Sequence, residues 1–467
     1  MKNIKIALTL SFLVSSTALG TTLSEALIST YQSNPELIAA RENLKTIDEK
    51  MYEAISGFLP SIGYSAQKTN TKRDTAQAPI FTQHGIDPEA LAGQQVKVDP
   101  WIQSKSKQSS IKLQQNVFNG GKSIMAVQIA KYTIESGRAS LLSTEQDIFL
   151  RTIQAYLNVI QNKQMLEINK ENLTFYEQKL EAVRQEVEAQ VKRRSDLAEA
   201  EAAKANAVTR LAKASGDYED ALATYTKMVG LSADNLTSSQ SLTSIPANQV
   251  EFLQSSLKNN PDLLNVTYQQ KAADINVISN AAAMLPSVDI GGSIDKSWSS
   301  TRGSNITQPY TNAKSVYVSV SVPIYQKGLE YSGVRKASAG AASLKYSVKN
   351  QKAVVTQGST QAWSRYIVAQ ETVKSAEEAV RAGHIALEGL QQEYQEGVTT
   401  LTNMLIAQEN LYQYQTSLVQ AKQNLELTRY SIAALMGKLN AKDLALPTKI
   451  YNMSANYDKI KSRLIGF

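Results

Sequence analysis

Cysteine is absent from all 467 residues. Disulfides, thiolate metal sites, a cysteine nucleophile and a lipid-modified N-terminal cysteine are thereby excluded. Histidine is scarce, with only His84 and His384, and neither has a second histidine three or four residues away, so a metal site has little support. No Gly-x-Ser-x-Gly or His-Glu-x-x-His occurs, which leaves the common hydrolase arrangements without a basis. Gly120-Gly121-Lys122-Ser123 has the look of a phosphate-binding loop, but the full pattern needs a glycine where Asn116 stands; the segment reads as a strand-to-helix turn. Beyond the first twenty residues no apolar run approaches the ~18 needed for a membrane-spanning helix. A basic block is also missing. The net charge is +7 and the pI about 9.1, yet Lys and Arg are interspersed with Glu and Asp along helical stretches. A nucleic-acid footprint would cluster them with aromatics, so no nucleic-acid partner is expected.

The chain does carry a secretory-type leader over residues 1–20: Lys2 and Lys5, an apolar core from Ile6 to Val14, and the small-x-small site Ala18-Leu19-Gly20. It also carries an internal repeat. Asn34-Pro35-Glu36-Leu37 recurs as Asn260-Pro261-Asp262-Leu263, and Leu59-Pro60-Ser61-Ile62 as Leu285-Pro286-Ser287-Val288, both 226 positions on. Later pairs stand 207 apart: Phe118 and Tyr325, Gly121 and Gly328, Val191 and Val398, Ala200 and Ala407, Gly230 and Gly437. The first copy therefore has about 19 extra residues in one loop. Units this long do not suit a solenoid of short repeats; they indicate a duplicated fold.

The stretch Ser315 to Tyr325 alternates strictly, with Val316, Val318, Val320, Val322 and Ile324 against Ser315, Tyr317, Ser319 and Ser321. A strand sends successive side chains to opposite faces, so one face is apolar and the other hydroxylated, as between lipid and water or on a half-buried strand of a soluble sheet. Ile62, Tyr64 and Ala66, and Val288, Ile290, Gly292 and Ile294, alternate likewise. Each copy thus reads as a helix interrupted at Asn-Pro, a β-hairpin, and a long helical hairpin. The predicted return strands are Ile111 to Phe118 and Ser315 to Tyr325, with loops from Lys68 to Ser109 and Ser299 to Lys314. The helix from Lys122 to Val191 has a seam at Leu173, Tyr176, Leu180, Val183, Val187 and Val191, spaced as in a coiled coil. About 70 residues at 1.5 Å give roughly 105 Å. Its partner runs from Lys327 to Gln395 and contains Gly358, Gly383 and Gly389, which are expected to soften it. Ser195 and Thr402 are placed to cap the return helices. The predicted organisation is a leader at 1–20, a first repeat at 21–246 (hairpin 59–118, helical hairpin 122–229), a second at 247–437 (hairpin 285–325, helical hairpin 329–436), and a polar tail at 438–467.

This order of motifs resembles the TolC family of outer-membrane channel-tunnels. The likeness rests on the doubled Asn-Pro-Glu/Asp-Leu and Leu-Pro-Ser motifs, the strand exits Val117-Phe118-Asn119-Gly120-Gly121 and Pro323-Ile324-Tyr325-Gln326-Lys327-Gly328, and the tips Arg194-Ser195-Asp196-Leu197-Ala198-Glu199-Ala200 and Gly397-Val398-Thr399-Thr400-Leu401-Thr402-Asn403. It covers nearly all of the mature chain. The resemblance implies an α+β membrane protein: a homotrimer whose protomers each give four strands to one 12-stranded barrel in outer-membrane lipid. Its coiled-coil helices form a periplasmic α-barrel. It implies an efflux or type I secretion duct without cofactor or catalysis of its own, fed by an inner-membrane ABC or proton-driven transporter through a periplasmic adaptor. Elementary physics agrees on oligomerisation, because four strands cannot seal a barrel in lipid whereas twelve can. The family constricts the tunnel at the periplasmic tips, which here carry Arg193, Arg194, Ser195 and Asp196, and Tyr394, Thr399 and Asn403; the alternative for Arg193 and Arg194 is that they only solvate a helix end, placed against its dipole. Ser195, Asp196 and Tyr394 match the family's gate-linking types. Thr399 replaces an arginine of some members, and Asn403 and Ile406 replace two inward carboxylates, so a cation-binding acidic ring is not expected. Val191, Ala200, Val398 and Ala407 are the expected adaptor contacts. The alternative is a periplasmic or surface coiled-coil scaffold without a pore.

Overall fold

The computed structural model describes residues 21–74, 101–233, 236–237, 244–301 and 310–461. The expected leader, His84 and the chain's last six residues lie outside these. The elements are α1 (Leu23–Ser33), α2 (Pro35–Ser56), β1 (Ser61–Asp74), β2 (Trp101–Asn119), α3 (Lys122–Glu188), α4 (Arg194–Val229), α5 (Gln249–Asn259), α6 (Pro261–Ala281), β3 (Ser287–Thr301), β4 (Thr311–Ser321), α7 (Leu329–Gln395), α8 (Leu401–Leu435) and the short α9 (Ala455–Ile460). Two compact units are distinguished, one of residues 1–48, 133–270 and 344–458, and one of 49–132, 271–343 and 459–467. Among the described residues no helix is long and apolar enough to cross a membrane.

In the first unit each Asn-Pro ends one helix and starts the next. Asn34 closes α1 through its own N–H to the Thr30 carbonyl, then accepts the N–H groups of Glu36 (3.0 Å) and Leu37 (3.2 Å) on its side chain. Asn260 does the same with Ser256 and Leu263. An extended residue is what the following proline requires, and an asparagine there serves as N-cap. The core gathers Leu23, Leu27 and Tyr31 of α1, Leu37 of α2, Phe149, Ile153 and Tyr156 of α3, Tyr225 of α4 and Tyr430 of α8. The seam is visible along single helices: Ala200, Ala207, Ala214 and Ala221 are buried on α4, and Val348, Val355, Ala362 and Ala369 on α7, every seventh residue. Glycines do not interrupt α7. At Gly383 the space a Cβ would need is taken by the Tyr414 ring, 2.9 Å away, so that glycine serves close helix packing.

The tail is less polar in behaviour than in composition. Leu439, Ala441 and Leu446 enter the core. The Tyr451 N–H donates to the Tyr31 hydroxyl (2.9 Å), and the Arg41 guanidinium lies over the Tyr31 ring at 4.2 Å and the Tyr451 ring at 5.2 Å. Glu145, buried on α3, accepts the Ala441 N–H at 2.7 Å. Burial raises its pKa above the ordinary carboxylate range; this N–H and Arg41 pull the other way, and Asp443 adds to the rise. The folded chain therefore holds this proton to higher pH than the unfolded chain, and stability falls as pH rises from about 4 through the folded pKa. Glu145→Gln keeps an acceptor without the charge. It is expected to melt about 2–4 °C higher than the parent at pH 7, the gap closing toward pH 4, as followed by thermal unfolding in detergent.

The second unit holds one antiparallel sheet in the order β1-β2-β3-β4. The strands extend well past the predicted ones. β1 and β2 pair as far as Asp74 with Trp101, and β3 and β4 reach Thr301 and Thr311. These extensions are Ser-, Thr-, Lys- and Gln-rich on both faces, so backbone pairing builds them and hydropathy does not announce them. β4 stops at Ser321, short of the predicted Tyr325, because Pro323 has no N–H to give a ladder. Register sorts the faces. One carries Ile62-Leu113-Gly292-Val316, Tyr64-Ile111-Ile294-Lys314, Ile290-Val318 and Phe118-Val288-Val320 as cross-strand sets; the other carries Gly63-Lys112-Ser293-Ser315, Ser110-Asp295 and Asn116-Asp289-Ser319. The apolar face is bare: Val316 is 86% exposed, and Ile62, Tyr64, Val318 and Val320 are exposed as well.

Candidate functional site

The two helical hairpins of the first unit turn in the same way. At the end of α3 the Val191 N–H reaches the Glu186 carbonyl (2.8 Å) and the Gln190 N–H reaches Val187 (3.0 Å). At the end of α7 Val398 reaches Glu393 (2.8 Å) and Gly397 reaches Tyr394 (3.1 Å). Both are Schellman closures around a left-handed residue. Gly397 takes that conformation freely at φ 75, whereas Gln190 holds it at φ 63, at a strain of roughly 1 kcal/mol. The return helices are not capped by Ser195 and Thr402, which lie one residue inside them. The N-cap positions are Arg193 and Thr400. The Thr400 hydroxyl accepts the Asn403 N–H (3.3 Å). Arg193 has no side-chain acceptor, so Asp196 reaches back to its backbone N–H (3.3 Å).

Tyr394 is the residue that ties the two tips together. It is 8% exposed, and its hydroxyl donates to the Glu186 carboxylate at 3.0 Å. The Lys192 ammonium sits 4.5 Å from its ring centroid, a cation–π contact. Burial, then the bond to Glu186 and the charges of Glu186 and Asp196, push the phenol well above the ordinary tyrosine range. It stays a neutral donor throughout physiological pH. A second tie runs from the Thr402 hydroxyl to Glu199 (3.1 Å). Arg193, Arg194 and Ser195 are exposed, Ser195 donating to Asp196 at 3.4 Å. The Asn403 amide donates to the Thr399 hydroxyl (3.1 Å). Thus Asp196 and Tyr394 come close, while Thr399 and Asn403 are engaged in their own turn. Sequence pattern alone does not single out Glu186, Lys192 or Glu199; the signal for Glu186 is that Tyr394 stands seven residues after Leu387 on a buried seam, and a buried tyrosine hydroxyl needs an acceptor.

The expected adaptor contacts divide. Val191 and Val398 stand out at 71% and 73% exposure. Ala200 and Ala407 are 2% and 8% exposed, packed among Tyr176, Val183, Leu401 and Met404, and offer no surface. Small residues on a helical seam face the neighbouring helix, and this corrects the expectation.

A cysteine-free duplicated chain with paired helical hairpins and a sheet of two unlike faces has clear counterparts. Its sequence matches the outer membrane efflux protein family over residues 27–231 and 252–438. The chain belongs to that family. This outer membrane efflux protein is similar to the outer membrane efflux protein BepC of Brucella suis, 27% identical over 451 residues, covering 96% of this chain and 92% of that one. It is also similar to the outer membrane protein TolC of Escherichia coli, 24% identical over 450 residues, covering 90% and 84%. The crystal structure of VceC from Vibrio cholerae shares its fold, with a TM-score of 0.71 at 16% identity, covering 89% and 96%. The efflux protein is accordingly an outer-membrane channel with its helical part in the periplasm. Its family is one of channels rather than enzymes, and the scaffold alternative finds no support.

Proposed function

We propose that three copies of this chain close a twelve-stranded barrel and together form the exit duct of a tripartite efflux or type I secretion machine. The observation that carries this is the sheet: four strands with two outer edges, β1 and β4, one face apolar and bare, the other lined with hydroxyls. Unpaired strand edges are intolerable in lipid, and bacterial barrels start at eight strands, so the chain needs further copies to seal a ring. The proposed organisation keeps two repeats, 21–246 and 247–437. The tips form the periplasmic gate, with Tyr394, Glu186 and Lys192 as its intramolecular latch and Asp196, Arg193, Arg194, Ser195, Thr399 and Asn403 around it. Asn403 and Ile406 supply no carboxylates there, which argues against a cation-binding ring. Val191 and Val398, paired by the repeat and exposed, are proposed to meet the helical hairpin of a periplasmic adaptor that connects to an inner-membrane ABC or proton-driven pump.

Heat-modifiable trimer bands in the outer-membrane fraction are the expected result. A monodisperse monomer that never enters detergent or lipid would overturn the assembly. Because the parent has no cysteine, Val191→Cys and Val398→Cys report cleanly on the adaptor; both should cross-link to it in cells, and capture by neither removes them from that contact.

A further inference from the structure

The apolar face of the sheet does not stay apolar to its end. Going from the helix-joined end toward the hairpin loops, the rows of that face change character. After Tyr64-Ile111-Ile294-Lys314 comes Ala66-Ser109-Lys296-Asn312, and then Lys68-Lys107-Trp298, with Lys105 one row further beside Asn70 and Ser300. No carboxylate appears on this face in these four rows. Lys68, Lys107 and Lys296 are exposed. The Lys107 ammonium lies 5.6 Å from the Trp298 ring centroid. With Trp298, Tyr310 and Asn312 the three lysines line a cavity of about 600 Å³, to which the neighbouring row Gln67-Gln108-Ser297 also contributes.

A lysine in contact with lipid chains is unfavourable, and a lysine at the level of the headgroups is not, since its stem lies along apolar surface while its ammonium meets the polar layer. Tryptophan and tyrosine at one level mark the interface in the same way. Here the two features coincide, and three cations within two rows exceed what anchoring requires. Such a cluster, with no carboxylate on its face among the described residues of these rows, draws anionic headgroups, each lysine adding to the attraction. Phosphate groups are the acceptors that ammonium groups and the Asn312 amide would jointly satisfy.

We infer that Lys68, Lys107 and Lys296, framed by Trp298 and Tyr310, form a binding site for the phosphate groups of a phosphorylated glycolipid of the outer leaflet. The inference rests on the barrel reading above; with the helical part in the periplasm, the hairpin-loop end of the strands is taken to face the cell exterior. An ordered lipid there would pin the rim of the barrel where the strands lose their apolar side chains.

The test uses the full-length protein purified as a trimer in detergent, with bis-phosphorylated lipid A and its dephosphorylated form as probes. The triple variant Lys68→Gln, Lys107→Gln, Lys296→Gln is compared with the parent and with Lys112→Gln, which removes a charge from the opposite face. Retained lipid is counted by native mass spectrometry, and insertion into phosphatidylcholine vesicles is measured in parallel. The parent and Lys112→Gln should hold bis-phosphorylated lipid A, the triple variant about tenfold less or below that, and dephosphorylated lipid A should bind all three equally poorly. Equal retention of the bis-phosphorylated lipid by a triple variant that inserts normally would overturn this inference and leave the barrel standing. Failure of the parent to insert into phosphatidylcholine would instead bring down the barrel reading, and this site with it.

Discussion

Lysine in place of Val318 is expected to remove the protein from the outer membrane, while lysine in place of Ser319, the next residue, is expected to leave it there. Val318 lies within the exposed apolar face and pairs with Ile290. A lysine near the bilayer midplane of a barrel costs roughly 2–4 kcal/mol, and three copies in one ring bring this to about 6–12 kcal/mol, comparable with the whole stability of a typical domain. Ser319 points the other way and pairs with Asp289, whose carboxylate accepts the Asn116 amide at 2.9 Å; a lysine there meets water and an opposite charge. The measurement is the heat-modifiable trimer in outer-membrane fractions, expected to fall at least about tenfold for Val318→Lys and to change little for Ser319→Lys. Equal behaviour of the two would mean that the sheet does not separate lipid from water.

The second large effect is expected at the tips. Tyr394→Phe removes one oxygen and leaves the ring under Lys192, yet it takes from Glu186 the donor at 3.0 Å. A hydrogen bond to a charged group contributes about 1.5–3 kcal/mol, enough to shift a closed–open balance by roughly tenfold or more in each protomer. Single-channel conductance in planar bilayers should rise for Tyr394→Phe and for Glu186→Ala. Asp196→Ala should act less, because Asp196 touches Tyr394 only through its charge and is bonded instead to the Arg193 N–H. If Tyr394→Phe and Glu186→Ala both conduct like the parent, the latch is not part of the gate.

The sequence by itself determined whatever is periodic or local. The repeat at offsets of 226 and 207, the Asn-Pro joints, the alternation of Val316 to Val320 and the seam through Tyr176, Leu180 and Val183 are all written in neighbouring residues, because a helix or strand repeats its environment every few positions. Only the tertiary structure decided which groups meet across the fold. Glu186 and Tyr394 are 208 positions apart, and no spacing rule joins them. Whether Ala200 faces a partner protein or the adjacent helix depends on how the hairpins pack. The polar ends of β1 to β4 formed through backbone pairing that side-chain hydropathy does not record, and that pairing is what set Lys68 beside Lys107 and Trp298. Periodicity specifies which face of an element is apolar; contacts between distant elements specify what that face, and the charges at its edge, are for.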